Sequence, residues 1–152
     1  WLVLLACQLV NLSTCQLINR QIIMTTQQLA DQHKVDYRSL EDFCIGSVAF
    51  TAENALRMVE LLREEVTPIL GVDTYKLMPD GYLDVVCDFC FCERKDHELI
   101  FEYTQRSCDM SANHIRRVAK AMEEECKKEH SELLFDITNL DLEWKPDAER
   151  MW

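Results

Sequence analysis

The sequence predicts an α+β domain, mostly α, in which about four helices pack with a cysteine-rich β-hairpin and disulfides staple the fold. Three observations lead there. Apolar residues recur at helical spacing in four segments, they alternate along residues 82–92, and six cysteines follow an uncharged leader. With only three Gly and three Pro in 152 residues, a loop-rich scaffold or a many-stranded all-β fold is disfavoured.

The helices are predicted from apolar stripes and capping residues. The first covers residues 16–33, and a second begins at Ser39, where Ser-Leu-Glu-Asp resembles a capping box. The third covers residues 52–66, with Thr51 as its N-cap. The fourth covers residues 111–130, and its first residue, a serine, is the predicted N-cap.

The remaining segments are assigned from their Pro and Gly residues and from the alternation of apolar and polar residues. Residues 67–81 hold two Pro and two Gly and are predicted to be a connector between two halves of the domain. Residues 82–92 and 99–103 alternate with period two, which predicts a β-hairpin around a polar loop. Residues 131–145 fit a helix or strands, and poor helix formers favour an extended segment.

The N-terminal segment resembles part of a secretory signal. No charged residue precedes Arg20, and the first ten residues are largely apolar, too few for a membrane span of about 20. We therefore expect residues 1–15 to be a signal peptide that is truncated at its N-terminus. A buried helix and a lipoprotein signal ending at Cys7 are the alternatives. The expected domain then covers residues 16–145, followed by a tail at 146–152.

Removing such a leader takes away two of the eight cysteines and leaves an even number. An even set in an oxidising compartment predicts three disulfides, although 15 pairings are possible and the sequence does not choose among them. The candidate half-cystines are Cys44, Cys87, Cys90, Cys92, Cys108 and Cys126.

Two other uses of the cysteines compete with disulfides. Cys87 and Cys90 have the spacing of a zinc half-site and of a CxxC redox motif. A redox motif needs an activating helix immediately behind it, and residues 91–96 do not read as one. We therefore predict no metal site and no cofactor. In the zinc alternative, the remaining ligands would be supplied by His97, Cys108, His114 or the pair Cys126 and His130.

Function is predicted by exclusion. The net charge of −11 disfavours nucleic acid and anionic membranes, and no catalytic motif occurs, so the chain is predicted not to be an enzyme. We expect a secreted binding protein or ligand that acts on an extracellular protein partner or receptor, with a small apolar ligand as a variant. The alternative is an intracellular zinc or redox protein. The aromatic residues of the hairpin are expected to pack on the helices, or else to form a contact face: Phe89, Phe91, Phe101 and Tyr103.

Overall fold

A computed structural model describes residues 24–139 of the chain. The predicted signal peptide (1–15) and tail (146–152) lie outside the described residues, as do residues 16–23 of the first predicted helix and residues 140–145. Within residues 24–139 the chain forms three α-helices and five β-strands in two antiparallel sheets. In chain order these are α1 (Thr26–His33), β1 (Arg38–Ser39), a 3-10 turn (Glu41–Phe43), β2 (Val48–Ala49), α2 (Ala52–Glu64), β3 (Ile69–Leu77), β4 (Leu83–Phe91), α3 (Ile100–Glu129) and β5 (Glu132–Asn139).

The larger sheet has the strand order β4-β3-β5, and β1 pairs with β2 in a second, two-stranded sheet. The prediction of a mostly helical domain with a disulfide-stapled hairpin is therefore wrong. Its main error is the connector at 67–81, because residues 69–77 form the central strand of the larger sheet. Pro68 stands just before that strand. Gly71 lies where β4 approaches so closely that an added Cβ would be 2.9 Å from the carbonyl oxygen of Cys90.

The predicted hairpin partner at 99–103 is also wrong, since this segment begins α3. The helix starts at Ile100, eleven residues before the predicted cap Ser111, which is buried inside the helix. The side chain of Glu102 accepts a hydrogen bond from the backbone N–H of Leu99 and so caps the true start at 3.1 Å. β4 pairs with β3 instead, with Tyr75 opposite Val85.

Other predictions have mixed outcomes. The helix expected at Ser39 is wrong, because the chain there forms β1, a single 3-10 turn and β2. α2 follows Thr51, whose side chain accepts from the N–H of Asn54, and this confirms the predicted third helix and its cap. α3 ends at Glu129, close to the predicted end, and residues 132–139 are extended as favoured.

The core lies between the larger sheet and the helices α2 and α3. Alternate residues of β3 and β5 face this helical layer, while Tyr75 and Leu134 face the other way. The segment 38–49 covers that opposite face with Leu40 and Ala49. The largest side chains of the helical-side core are Phe50, Phe135, Leu29, Met58, Leu62, Ile69, Ile115 and Ile137.

Phe50 pairs with the outer edge of β5 at one position. The N–H groups and carbonyls of Phe50 and Phe135 exchange two hydrogen bonds of 2.8 Å each, which extends the ladder by one bridge. Both side chains are fully buried. This bridge ties the chain before α2 to the sheet, so the covering segment and the core are held together at one point.

We expect Phe135→Ala to lower the free energy of unfolding by about 3–5 kcal/mol, because it removes a fully buried aromatic side chain from a packed core. Urea denaturation followed by circular dichroism measures this. Phe101→Ala is the matched control, because Phe101 is exposed and its loss should change stability by less than about 0.5 kcal/mol. Equal losses in the two variants would contradict the assigned core.

Candidate functional site

The outer face of β4 is apolar and exposed. The side chains of Val85, Phe89 and Phe91 on β4, and of Tyr82 just before it, are between 55% and 70% accessible to solvent. We name these four residues the β4 strip. Segment 38–49 covers the same face of the sheet only over β3, β5 and the start of β4 at Leu83. Large apolar side chains grouped in this way are typical of a surface that contacts another protein.

The strip adjoins an open groove of about 450 Å³ between β4 and α3. The helix contributes Met110, which is 40% exposed, together with Asn113, His114 and Arg117. An open groove with this mixture of apolar, amide and charged side chains does not have the enclosed, apolar shape of a lipid-carrier cavity. The predicted small apolar ligand therefore gains no support from it.

One wall of the groove is a charged cluster joining β4 to α3. Arg117 donates two hydrogen bonds to Asp88, at 2.9 and 3.1 Å, and this pairing lowers the pKa of the carboxyl. Nδ1 of His114 lies 3.1 Å from Nη2 of Arg117. Since a guanidinium only donates, Nδ1 must accept, and the imidazole proton is assigned to Nε2. Burial, the largest cause, lowers the pKa of His114, so the ring is neutral.

A second cluster fixes the loop that leaves β4. Glu98 and Arg106 form a bidentate pair with contacts of 2.6 and 2.7 Å, and Arg106 also donates to the carbonyl of Glu93. The hydroxyl of Tyr103 donates to the carbonyl of Cys92. These bonds hold residues 92–98 against the first turns of α3, so the end of β4 has a defined position beside the helix.

The hydrogen bonds from Arg106 hold the pKa of Glu98 at about 2, below its ordinary value of 4.5. A depressed carboxyl pKa adds stability that is present above the unfolded pKa and is lost as the pH falls through the folded one. We therefore expect Glu98→Gln to be less stable than the wild type at pH 7, with the difference shrinking between about pH 5 and pH 2. Urea titrations across that range measure it. A difference independent of pH would contradict the assignment.

No disulfide joins any two of the cysteines between residues 24 and 139, so the staple expected for the fold is not found. Two of the six candidates lie on β4, two lie on α3 and two lie in connecting segments. Cys90 and Cys108 pack in the core cluster, where a free cysteine acts as a small apolar side chain. Cys44 and Cys87 are exposed, and Cys126 is half-buried. Cys92 is buried, and its Sγ accepts a hydrogen bond from Arg106 at 3.1 Å.

The zinc and redox alternatives are likewise not assembled in the described part of the chain. No group of three or more His, Cys, Asp or Glu side chains there could hold a metal ion. Burial raises the pKa of both Cys90 and Cys92, the opposite of the change that activates a redox thiol. The segment behind Cys90 is strand and loop, so no helix N-terminus faces the motif.

Native alkylation separates these cysteines by exposure. We expect Cys44 and Cys87 to react with iodoacetamide first, because both are exposed thiols. Cys108 should react only after unfolding, because it is fully buried and burial raises its pKa to about 11. Peptide mass spectrometry after timed labelling measures the order. Rapid labelling of Cys108 in the folded chain, or a disulfide between any two of these cysteines, would contradict it.

An edge strand with an exposed apolar face, beside a helix carrying ordered charges, defines a protein-binding α+β module. The chain belongs to the family described as Immunity protein 40, whose model matches residues 39–137, or 99 of the 152 residues. Comparison with curated proteins and with solved structures gives no match. The match runs from β1 to β5, so it contains both the strip and the groove.

Family membership supports a protein that acts by contacting a protein partner, which agrees with the sequence-based prediction at that level. No helix within residues 24–139 has the length and apolarity needed to cross a bilayer. The prediction that the hairpin aromatics pack on the helices is wrong for three of the four. Phe89, Phe91 and Phe101 are exposed, and only Tyr103 is buried.

Sequence reasoning missed the helix side of the groove. The sequence points to neither Met110 nor Arg117, and it points to His114 only as a possible zinc ligand. The available signal was charge: Asp88 is one of two carboxylates on a strand without Lys or Arg, so a cation that balances it must come from a neighbouring element. This signal does not identify which cation pairs with Asp88 until the packing of the helix against the strand is known.

Proposed function

We propose that this chain neutralises a protein toxin by binding it through the β4 strip and the adjoining groove. The observation that carries the proposal is the strip itself, three large apolar side chains exposed on β4 and a fourth just before it, in a chain of the immunity family. Soluble proteins rarely leave such residues grouped in water unless a partner covers them. Aromatic and aliphatic anchors of this kind supply most of the energy of a protein interface.

The charge of the chain favours a toxin whose binding surface is basic. At −11 the chain attracts cationic surfaces over long range and speeds encounter with them. Acidic residues flank the strip, since Asp80 precedes it, Asp84 lies within it and Glu93 follows it. An apolar centre with a charged rim is the usual build of a specific interface. Binding of this chain is then sufficient to neutralise the toxin, because the bound chain covers the surface that the toxin needs for its activity.

The function is tested by co-expression with a candidate protein toxin from the same genome. Cells that make the toxin alone should stop growing, and cells that also make this chain should grow. Growth arrest in both strains, with the chain present as folded protein, would overturn the proposed function. Calorimetry on the purified pair then gives the dissociation constant against which variants are compared.

We expect Phe89→Lys to weaken toxin binding by about 30-fold to 1,000-fold, because a central interface side chain contributes roughly 2–4 kcal/mol. Phe89 is 70% exposed, so its loss should leave the melting temperature nearly unchanged. Titration calorimetry with the toxin measures the affinity.

Phe101→Lys is the matched control for this variant. Phe101 is also an exposed phenylalanine, but it precedes Met110 by nine residues, which places it on the opposite side of α3 at about 3.6 residues per turn. The control should bind like the wild type. If Phe89→Lys binds as well as the wild type while Phe101→Lys does not, the binding surface is on the other side of the helix.

A further inference from the structure

The two outer edges of the larger sheet differ. The outer edge of β5 carries one backbone bridge, between Phe50 and Phe135. β4 pairs only with β3 among residues 24–139, so its other edge presents N–H and carbonyl groups to the solvent. With nine residues at roughly 3.3 Å each, β4 offers an edge about 30 Å long.

β4 lacks Lys and Pro, two of the usual protections of an exposed edge, although its irregular pairing with β3 limits where a strand can be added. Natural sheets discourage pairing between molecules by placing Lys or Pro on edge strands or by keeping those strands short. β4 contains neither Lys nor Pro, and it carries two exposed apolar anchors, Phe89 and Phe91. An exposed edge with apolar side chains and no Lys or Pro is the type of surface that binds a partner by adding a strand.

The register locates the part of β4 that can accept such a strand. From Leu83 to Val86 the pairing with β3 is regular, whereas an irregularity falls opposite Val72 and Thr74 and interrupts it before Cys90. Since a bulge redirects the backbone and leaves residues unpaired, continuous pairing on the outer edge is confined to the regular stretch. Phe89 and Phe91 then serve as side-chain contacts beyond the paired segment.

Charge selects the occupant. From Pro79 to Glu93 the chain carries four carboxylates and no Lys or Arg, and Arg117 neutralises only Asp88 among them. A second copy of β4 would bring like charges together across the new ladder, which is unfavourable. A partner strand with Lys or Arg opposite Asp84 and an apolar residue opposite Val85 complements both features.

We propose that the toxin contributes a basic β-strand that pairs with the outer edge of Leu83–Val86 and extends the β4-β3-β5 sheet. The proposal rests on the proposed function and specifies its mode. It differs from side-chain docking alone because it requires backbone hydrogen bonds from the partner to β4.

Amide exchange tests this mode, measured by NMR on the chain with and without the toxin that it neutralises in the co-expression test. In the free chain, alternate amides of Leu83–Val86 point away from β3 and should exchange rapidly. In the complex these amides should slow by about tenfold or more, while those already bonded to β3 change little. A complex in which the outward amides exchange as fast as in the free chain would overturn edge pairing and leave toxin binding intact. Failure to form any complex would instead overturn the proposed function.

Amide exchange in the free chain gives a second test of the proposal. If the outward amides are protected without toxin, and deletion of residues 1–23 or 140–152 releases them, the chain covers its own edge and the proposal is wrong. If protection without toxin coincides with a dimer by light scattering, a second copy occupies the edge and the proposal is again wrong. Rapid exchange in a monomer is the expected result.

A pair of charge variants tests the chemistry of the partner strand. Asp84→Lys should weaken toxin binding by about tenfold or more, because it places a cation opposite the basic strand. Glu64→Lys makes the same change of net charge at an exposed position on α2 and should change the affinity by less than about threefold at 0.15 M salt, where distant charges are screened. Equal effects of the two variants would show that net charge alone attracts the toxin and would overturn the basic-strand assignment.

Discussion

β3 pairs along both of its edges, with β4 on one side and β5 on the other, and it is the one strand of the described sheet that does so. Its two faces are also both covered. Ile69 and Val72 lie beneath the helical layer, and Tyr75 lies beneath the segment 38–49. Gly71 permits the closest approach, because a side chain there would meet the carbonyl of Cys90. The position of β4, and therefore of the exposed strip, is thus fixed from the central strand outward.

The parts of the fold that could be predicted are those in which local signals agree with burial. α2 has a threonine cap followed by apolar residues at helical spacing, and those residues are the buried ones. β3 could not be recognised, since Pro68 and Gly71 indicate a connector while the strand depends on partners distant in sequence. The start of α3 misled for another reason. Leu99 and Phe101 produce the alternation seen there, yet both are exposed, so the pattern did not report a buried face.

The candidate site was predictable only in part. Alternation along residues 82–92 correctly separates the side that carries Phe89 and Phe91 from the side that carries Asp88 and Cys90. Which side meets the core depends on where α3 packs, and that is not encoded within the strand. The cysteine count suggested disulfides because the number is even. Cys90 and Cys108 instead occupy apolar positions of the core, where size and hydrophobicity suffice to explain them.

The strip and the core share almost no residues, and this separation bears on how the protein can change over generations. Substitutions at Val85, Phe89 or Phe91 alter side chains that are already exposed to solvent, so they change the small free energy of unfolding only slightly. Related proteins can therefore differ at these positions as their binding partners differ, while β3 and its neighbouring strands stay constant. Drift in specificity is then limited by what the partner accepts, and not by whether the chain still folds.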